Sequence, residues 1–155
     1  MGMWALWSAP MVLSAELRDG ALSADMKAIL LNAEVLVVSD DPLGRQATQC
    51  KDAACSHGSV LYHGGTSVWN KTLADGSVAV GLLNTGNFGN VGTAFGDFNI
   101  SFTAAAVGLT GCDDDAAGFT ARDLFKHEDL GTFHGGFWRE VDESTMLLLK
   151  LSCAA

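Results

Sequence analysis

The densest group of carboxylates in the chain is Asp113-Asp-Asp115. Acids of this kind build calcium sites and catalytic pairs. Calcium, however, takes about 6–8 arranged oxygens, and three adjacent acids in a turn repel one another and point in different directions. The expectation is a solvated turn. The histidines His57, His63, His127 and His134 show no metal-ligand spacing, so each reads as a fold residue and no metal is implied. Gly86-Asn-Phe-Gly-Asn-Val-Gly92 is glycine-rich but opens no helix, so it is not read as a phosphate cradle, and no cofactor is expected.

The cysteines carry more information. Cys50 and Cys55 are too widely spaced for a zinc knuckle, and their spacing suits a local disulfide. Cys112 and Cys153 remain for a long-range bridge. An even cysteine count goes with two glycosylation sequons, Asn70-Lys-Thr72 and Asn99-Ile-Ser101. Together they predict a secretory history, in the extracellular space, a vacuole or an organelle lumen. Trp69, Phe102, Phe119, Phe125 and Phe137 are core candidates before they are ligand platforms. Trp138 follows Phe137, so the two should face opposite ways on a strand. If Phe137 is buried, Trp138 is the best candidate for an exposed, sugar-contacting ring.

The elements that must position these residues fall into two blocks. Residues 1–6 read as the end of a helix, stopped by Pro10. Residues 11–17 have the length and apolarity of a strand. Residues 22–32 carry apolar side chains at helical spacing, with Ser23 as the cap. Val35-Leu-Val-Val38 reads as a buried strand or extended stretch, and Asp40-Asp-Pro-Leu-Gly44 as a turn that ends the block. The predicted division is 1–45, a 46–57 linker holding the cysteine pair, and 58–155. In the last block short apolar runs alternate with Gly, Asn and Asp. The predicted strands are 60–63, 67–73, 78–83, 98–107, 118–123, 131–141 and 145–151. Ala74-Asp-Gly-Ser77 is a hairpin turn and 86–96 a loop. The fold class expected is mainly β: an antiparallel two-sheet β-sandwich preceded by a small α/β unit.

Composition removes several functions. The chain has 155 residues, enough for one ordinary domain, and 48% of them are hydrophobic. A net charge of −9 argues against nucleic acid and against docking on anionic membranes. No apolar run approaches the roughly 20 residues of a membrane span, so membrane association is expected only through a partner. The apolar N-terminus does not read as a signal peptide, because its first positive residue is Arg18 and Leu13 stands where a small residue belongs.

One resemblance orders these observations. Trp4-Ala-Leu-Trp-Ser-Ala-Pro-Met-Val-Leu-Ser-Ala-Glu-Leu-Arg18 and Asp40-Asp-Pro-Leu-Gly-Arg-Gln46 resemble the end of the catalytic barrel in the α-galactosidases of glycoside hydrolase family 27. Ser67-Val-Trp-Asn-Lys-Thr-Leu-Ala-Asp-Gly-Ser-Val-Ala-Val-Gly-Leu-Leu-Asn-Thr-Gly86 is similar to the opening hairpin of that family's C-terminal β domain. Ala121-Arg-Asp-Leu-Phe-Lys-His-Glu-Asp-Leu-Gly131 and Thr145-Met-Leu-Leu-Leu-Lys-Leu151 resemble later strands of the same domain. These motifs follow in the family's order, so the similarity covers nearly the whole chain. The resemblance makes the first block a remnant of the last unit of a (β/α)8 barrel: helix, strand, helix.

A retaining glycosidase uses two carboxylates about 5 Å apart. In the resembled family both lie on earlier barrel strands, so no catalytic residue is carried over. Glu16 stands where the family has Asp and is read as structural. The first reading is therefore a non-catalytic structural or interaction subunit of a larger assembly. The alternatives are one piece of a split α-galactosidase whose barrel lies elsewhere, and a carbohydrate-binding sandwich module. Other protein chains are expected to cover residues 1–43, with contacts through Met3, Trp4, Trp7, Met11 and Leu13.

Overall fold

The computed structural model describes residues 1–14, 16, 18, 20–55, 65–86, 98–112 and 118–154. Among the described residues three short helices come first: α1 (Gly2–Leu6), α2 (Ala24–Leu30) and α3 (Ala33–Ser39). The described strands that follow are β1 (Thr48–Gln49), β2 (Thr66–Thr72), β3 (Val78–Asn84), β4 (Phe98–Thr103), β5 (Phe119–Asp123), β6 (Glu128–Phe133), β7 (Gly136–Val141) and β8 (Thr145–Cys153). A 3-10 turn, Ala105–Val107, follows β4. All pairings among the described residues are antiparallel. One sheet has the order β1-β2-β3-β8-β5-β6, and β4 pairs with β7 in a second. The β domain is thus a two-sheet sandwich.

Its core follows from alternation. Val68, Val80, Leu82, Phe119, Leu149 and Leu151 of the large sheet meet Ile100, Phe102, Phe137 and Val141 of the small one. Phe102 stacks on Phe137 with ring centroids 5.3 Å apart, and Phe133 meets Phe137 edge-on at 4.9 Å. The central strand β3 is apolar without alternation, and the reason is a second core on the other face of the sheet. There Ala5 and Leu6 of α1, with Val35 and Val38 of α3, pack on Ala79, Leu73, Leu124 and Leu148. A strand buried on both faces has no polar side to show. Gly81 permits this close seat: a Cβ there would lie 2.3 Å from Met146 Cε and 2.6 Å from Leu6 Cδ1.

Several sequence expectations are corrected. Residues 35–38 are helical, because Asn32 caps the segment, its side chain accepting a hydrogen bond from Val35 N–H at 3.1 Å. Residues 11–14 form no strand, and among the described residues no strand pairs with them. Among its described residues the first block therefore holds three helices and no strand, where helix, strand, helix was expected. Leu6 is fully buried in the core between α1, α3 and the large sheet. The expected strand 98–107 ends at Thr103 and turns through Gly108, whose φ of 80° suits glycine. The expected strand 131–141 is two strands joined through Gly135, with φ 74°. The expected strand 60–63 and most of the loop 86–96 lie outside the described residues, as do His57, His63 and Asp113 to Asp115. The expected helix 22–32 is α2, and its cap is Ser23, whose Oγ accepts from Met26 N–H at 3.2 Å.

Candidate functional site: an open apolar face held by polar clips

The N-terminal segment has two sides of opposite character. Its inner side is tied to the sandwich by polar contacts. Asn32 Nδ2 donates to the Leu124 carbonyl at 2.8 Å, so the residue that caps α3 also joins it to the end of β5. Ala47 N–H donates to the Leu6 carbonyl at 2.8 Å. Ala74 N–H, in the β2–β3 turn, donates to Asp41 at 2.9 Å. The Lys71 ammonium, almost wholly buried, donates to Ser8 Oγ at 2.6 Å and to the Val38 carbonyl. Burial pulls its pKa below the ordinary lysine value, while Asp41 and then Asp40 oppose that shift.

The strongest clip is built on Glu34, in the first turn of α3. Arg122 of β5 donates to it twice, at 2.7 and 2.8 Å. His127 Nδ1 lies 2.7 Å from the same carboxylate, and Arg122 also reaches Asp129 at 2.9 Å. His127 occupies a left-handed turn position, φ 56°, between β5 and β6. The hydrogen bonds from Arg122 hold the Glu34 carboxyl at about 2, well below its ordinary 4.5; desolvation opposes them, and His127 adds to them. A doubly bonded guanidinium–carboxylate pair fixes direction as well as charge. It sets the angle of α3 on the sandwich.

The outer side is apolar and uncovered. Eight of the ten exposed large hydrophobic side chains among the described residues lie in positions 1–43: Trp7, Val12, Leu13, Met26, Ile29, Leu31, Val37 and Leu43. Helix α2 has no buried residue at all. An amphipathic helix without a cover on its apolar stripe is not a self-sufficient element. Of the partner-contact residues expected from sequence, Trp7 and Leu13 are exposed, whereas Met3, Trp4 and Met11 are half-buried. Met3 and Met11 pack against the outer core, Trp4 donates to the Pro10 carbonyl, and Trp7 meets Trp69 edge-on at 6.1 Å. The expected covered range, 1–43, includes α2, α3 and Leu43, but the exposed side chains there were not among the contact residues named from sequence. The helical spacing of Met26 and Ile29 was the available signal.

The remaining candidates lie apart from this face. The cysteines pair as Cys50–Cys55 and Cys112–Cys153, with Cα separations of 6.3 and 5.1 Å. Glu16 is exposed and pairs with Arg18 at 2.5 Å, which lowers its pKa. No cluster of three metal-ligating side chains occurs among the described residues. Trp138 is 65% exposed and lines a shallow groove of about 540 Å³ with Phe133, Arg139, Glu140 and Asp142. Asn99 is exposed; Asn70 is half-buried.

Comparison with known proteins identifies the fold. Residues 63–151 match the family described as the alpha galactosidase C-terminal beta sandwich domain. The chain belongs to this family. An α-galactosidase of Coffea arabica is 30% identical over 152 residues, covering 95% of this chain and 33% of that protein. Human alpha-galactosidase A is 29% identical over 89 residues, 57% of this chain and 18% of the relative. The crystal structure of alpha-galactosidase I from Mortierella vinacea superposes with a TM-score of 0.76 at 21% identity, over 99% of this chain and 34% of that one. The chain thus corresponds to the C-terminal part of a family 27 α-galactosidase and spans a third or less of the curated relatives described here. The coffee match covers 95% of this chain and so takes in the N-terminal block as well as the sandwich.

Proposed function

We propose that this chain is the non-catalytic C-terminal part of an α-galactosidase-type assembly, and that residues 1–43 dock it onto a catalytic (β/α)8 barrel. The observation that carries this reading is the polarity of the N-terminal segment: clipped to the sandwich on one side, apolar and uncovered on the other. A soluble monomer rarely exposes apolar patches beyond a few hundred Å². Full burial of one such side chain contributes about 1.5–3 kcal/mol, so several half-exposed ones suffice to hold two modules together. The barrel is supplied either by the same polypeptide or by a separate chain. In both cases the two carboxylates of a retaining glycosidase come from the barrel, and this part supplies support. The two disulfides favour an oxidising compartment, as in the secretory pathway.

The test is complementation. The purified chain alone is expected to leave a chromogenic α-galactoside intact. Joined to the N-terminal two-thirds of the coffee enzyme in place of that enzyme's own C-terminal third, it is expected to give a soluble, folded and active hydrolase. Turnover by the isolated chain, abolished by Glu16→Gln, overturns the non-catalytic reading. A chimera that stays insoluble while the parent coffee enzyme folds overturns the docking role.

A further inference from the structure

We propose that Asn99 carries an N-linked glycan whose first N-acetylglucosamine packs on the exposed ring of Trp138. The sequon Asn99-Ile-Ser101 lies on β4, in register with β7: Asn99 is opposite Glu140 and Ser101 opposite Trp138. Ile100, Phe102 and Phe137 are buried in the sandwich core. Alternation therefore turns Asn99, Ser101, Trp138 and Glu140 to the outer face of the small sheet. Asn99 and Trp138 are diagonal neighbours there, roughly 7–8 Å apart and within reach of an aromatic side chain. Both are exposed. Trp138 has no ring partner among the described residues. An N-acetylglucosamine ring presents a face of C–H groups and an apolar acetyl methyl, which match an indole face.

The second sequon supplies the contrast. Asn70 lies in β2 between β1 and β3, and it is half-buried. Its side-chain nitrogen faces the 3-10 turn, 3.9 Å from where a Cβ on Gly108 would lie. A glycan on that atom would have to leave past the turn from a half-buried position, so Asn70 is expected to stay unmodified. The modification itself is a transfer without redox change. The Asn99 side-chain nitrogen attacks C1 of a lipid-pyrophosphate-linked oligosaccharide, supplied by the host's glycosylation machinery. A C1–N bond forms, the C1–O bond to pyrophosphate breaks, the lipid pyrophosphate leaves, and the amide gives up one proton. The disulfides favour a compartment where such donors are found.

The experiment is secretion of the full chain from a eukaryotic host, followed by glycopeptide mass mapping and NMR of the sugar methyl groups. Occupancy is expected at Asn99 and not at Asn70. It is lost in both Asn99→Gln and Ser101→Ala, and retained in Ser101→Thr. The N-acetyl methyl signal of the first sugar is expected to be shifted upfield by the indole ring. Trp138→Ala is expected to return it to its ordinary position without changing the glycan mass. Trimming to a single N-acetylglucosamine should leave Trp138 shielded from a soluble quencher, and complete removal should expose it. An unmodified Asn99 in a host that glycosylates a control protein overturns the proposal. So does a glycan on Asn99 whose methyl signal is unmoved by Trp138→Ala.

Discussion

The Glu34 clip makes the firmest quantitative expectation. Replacing Glu34 with Gln removes the charge that Arg122 and His127 both address, with little change of shape. A carboxyl held at about 2 instead of 4.5 corresponds to about 3.4 kcal/mol at about 1.36 kcal/mol per unit. That figure is too large for this site. The Glu34 side chain is 30% exposed and Arg122 35%, so solvent screens the pair. Exposed pairs contribute about 0.2–1 kcal/mol, and the bidentate geometry raises this, so about 1–2 kcal/mol is expected at neutral pH. For a chain of this size that is a fall in Tm of about 2–8 °C. Because the folded pKa is depressed, the stabilisation is present above the unfolded value and is lost as pH falls from about 4.5 to about 2. Urea denaturation of wild type and Glu34→Gln across pH 2–7 measures this directly. The two stability curves should be separated at pH 7 and converge near pH 2. Equal stability at pH 7, or a gap that does not change with pH, refutes the reasoning.

Two further expectations concern covalent and steric anchors. Cys112→Ala/Cys153→Ala opens a loop of 41 residues and should cost about 4 kcal/mol by chain entropy, against about 2 kcal/mol for Cys50→Ala/Cys55→Ala, which opens one of 5; urea curves of the two double variants check the order. Gly81→Ala drives a methyl into Met146 and Leu6, and should cost about 1–3 kcal/mol in the same assay. Met146→Ala in the same chain should restore part of it.

The sandwich was legible because its signals are local. Ala74-Asp-Gly-Ser77 turns β2 into β3, and the alternating runs of β4, β5 and β7 show which side faces the core. The N-terminal block was less legible. Val35 to Val38 are mostly β-branched, and their strand propensity loses to the Asn32 cap and to burial of one helical face on Leu124 and Leu148. Residues 11–14 have the composition of a strand, but a strand exists only through its neighbours. The clip was invisible for another reason: Glu34 meets Arg122 and His127 across 88 and 93 residues of sequence, and no spacing rule reports such a meeting. Helical periodicity identified α2 as amphipathic without saying that its apolar side stays uncovered.

Sedimentation velocity of the purified chain over a range of concentrations tests the docking role most directly. The open face at Val12, Leu31 and Val37, each at least 65% exposed, should make the chain self-associate or require detergent. Leu31→Asp with Val37→Asp should shift it toward monomer without loss of the β-sheet circular dichroism. A monodisperse monomer at every concentration, with Trp7 freely quenched by iodide, would contradict the docking role.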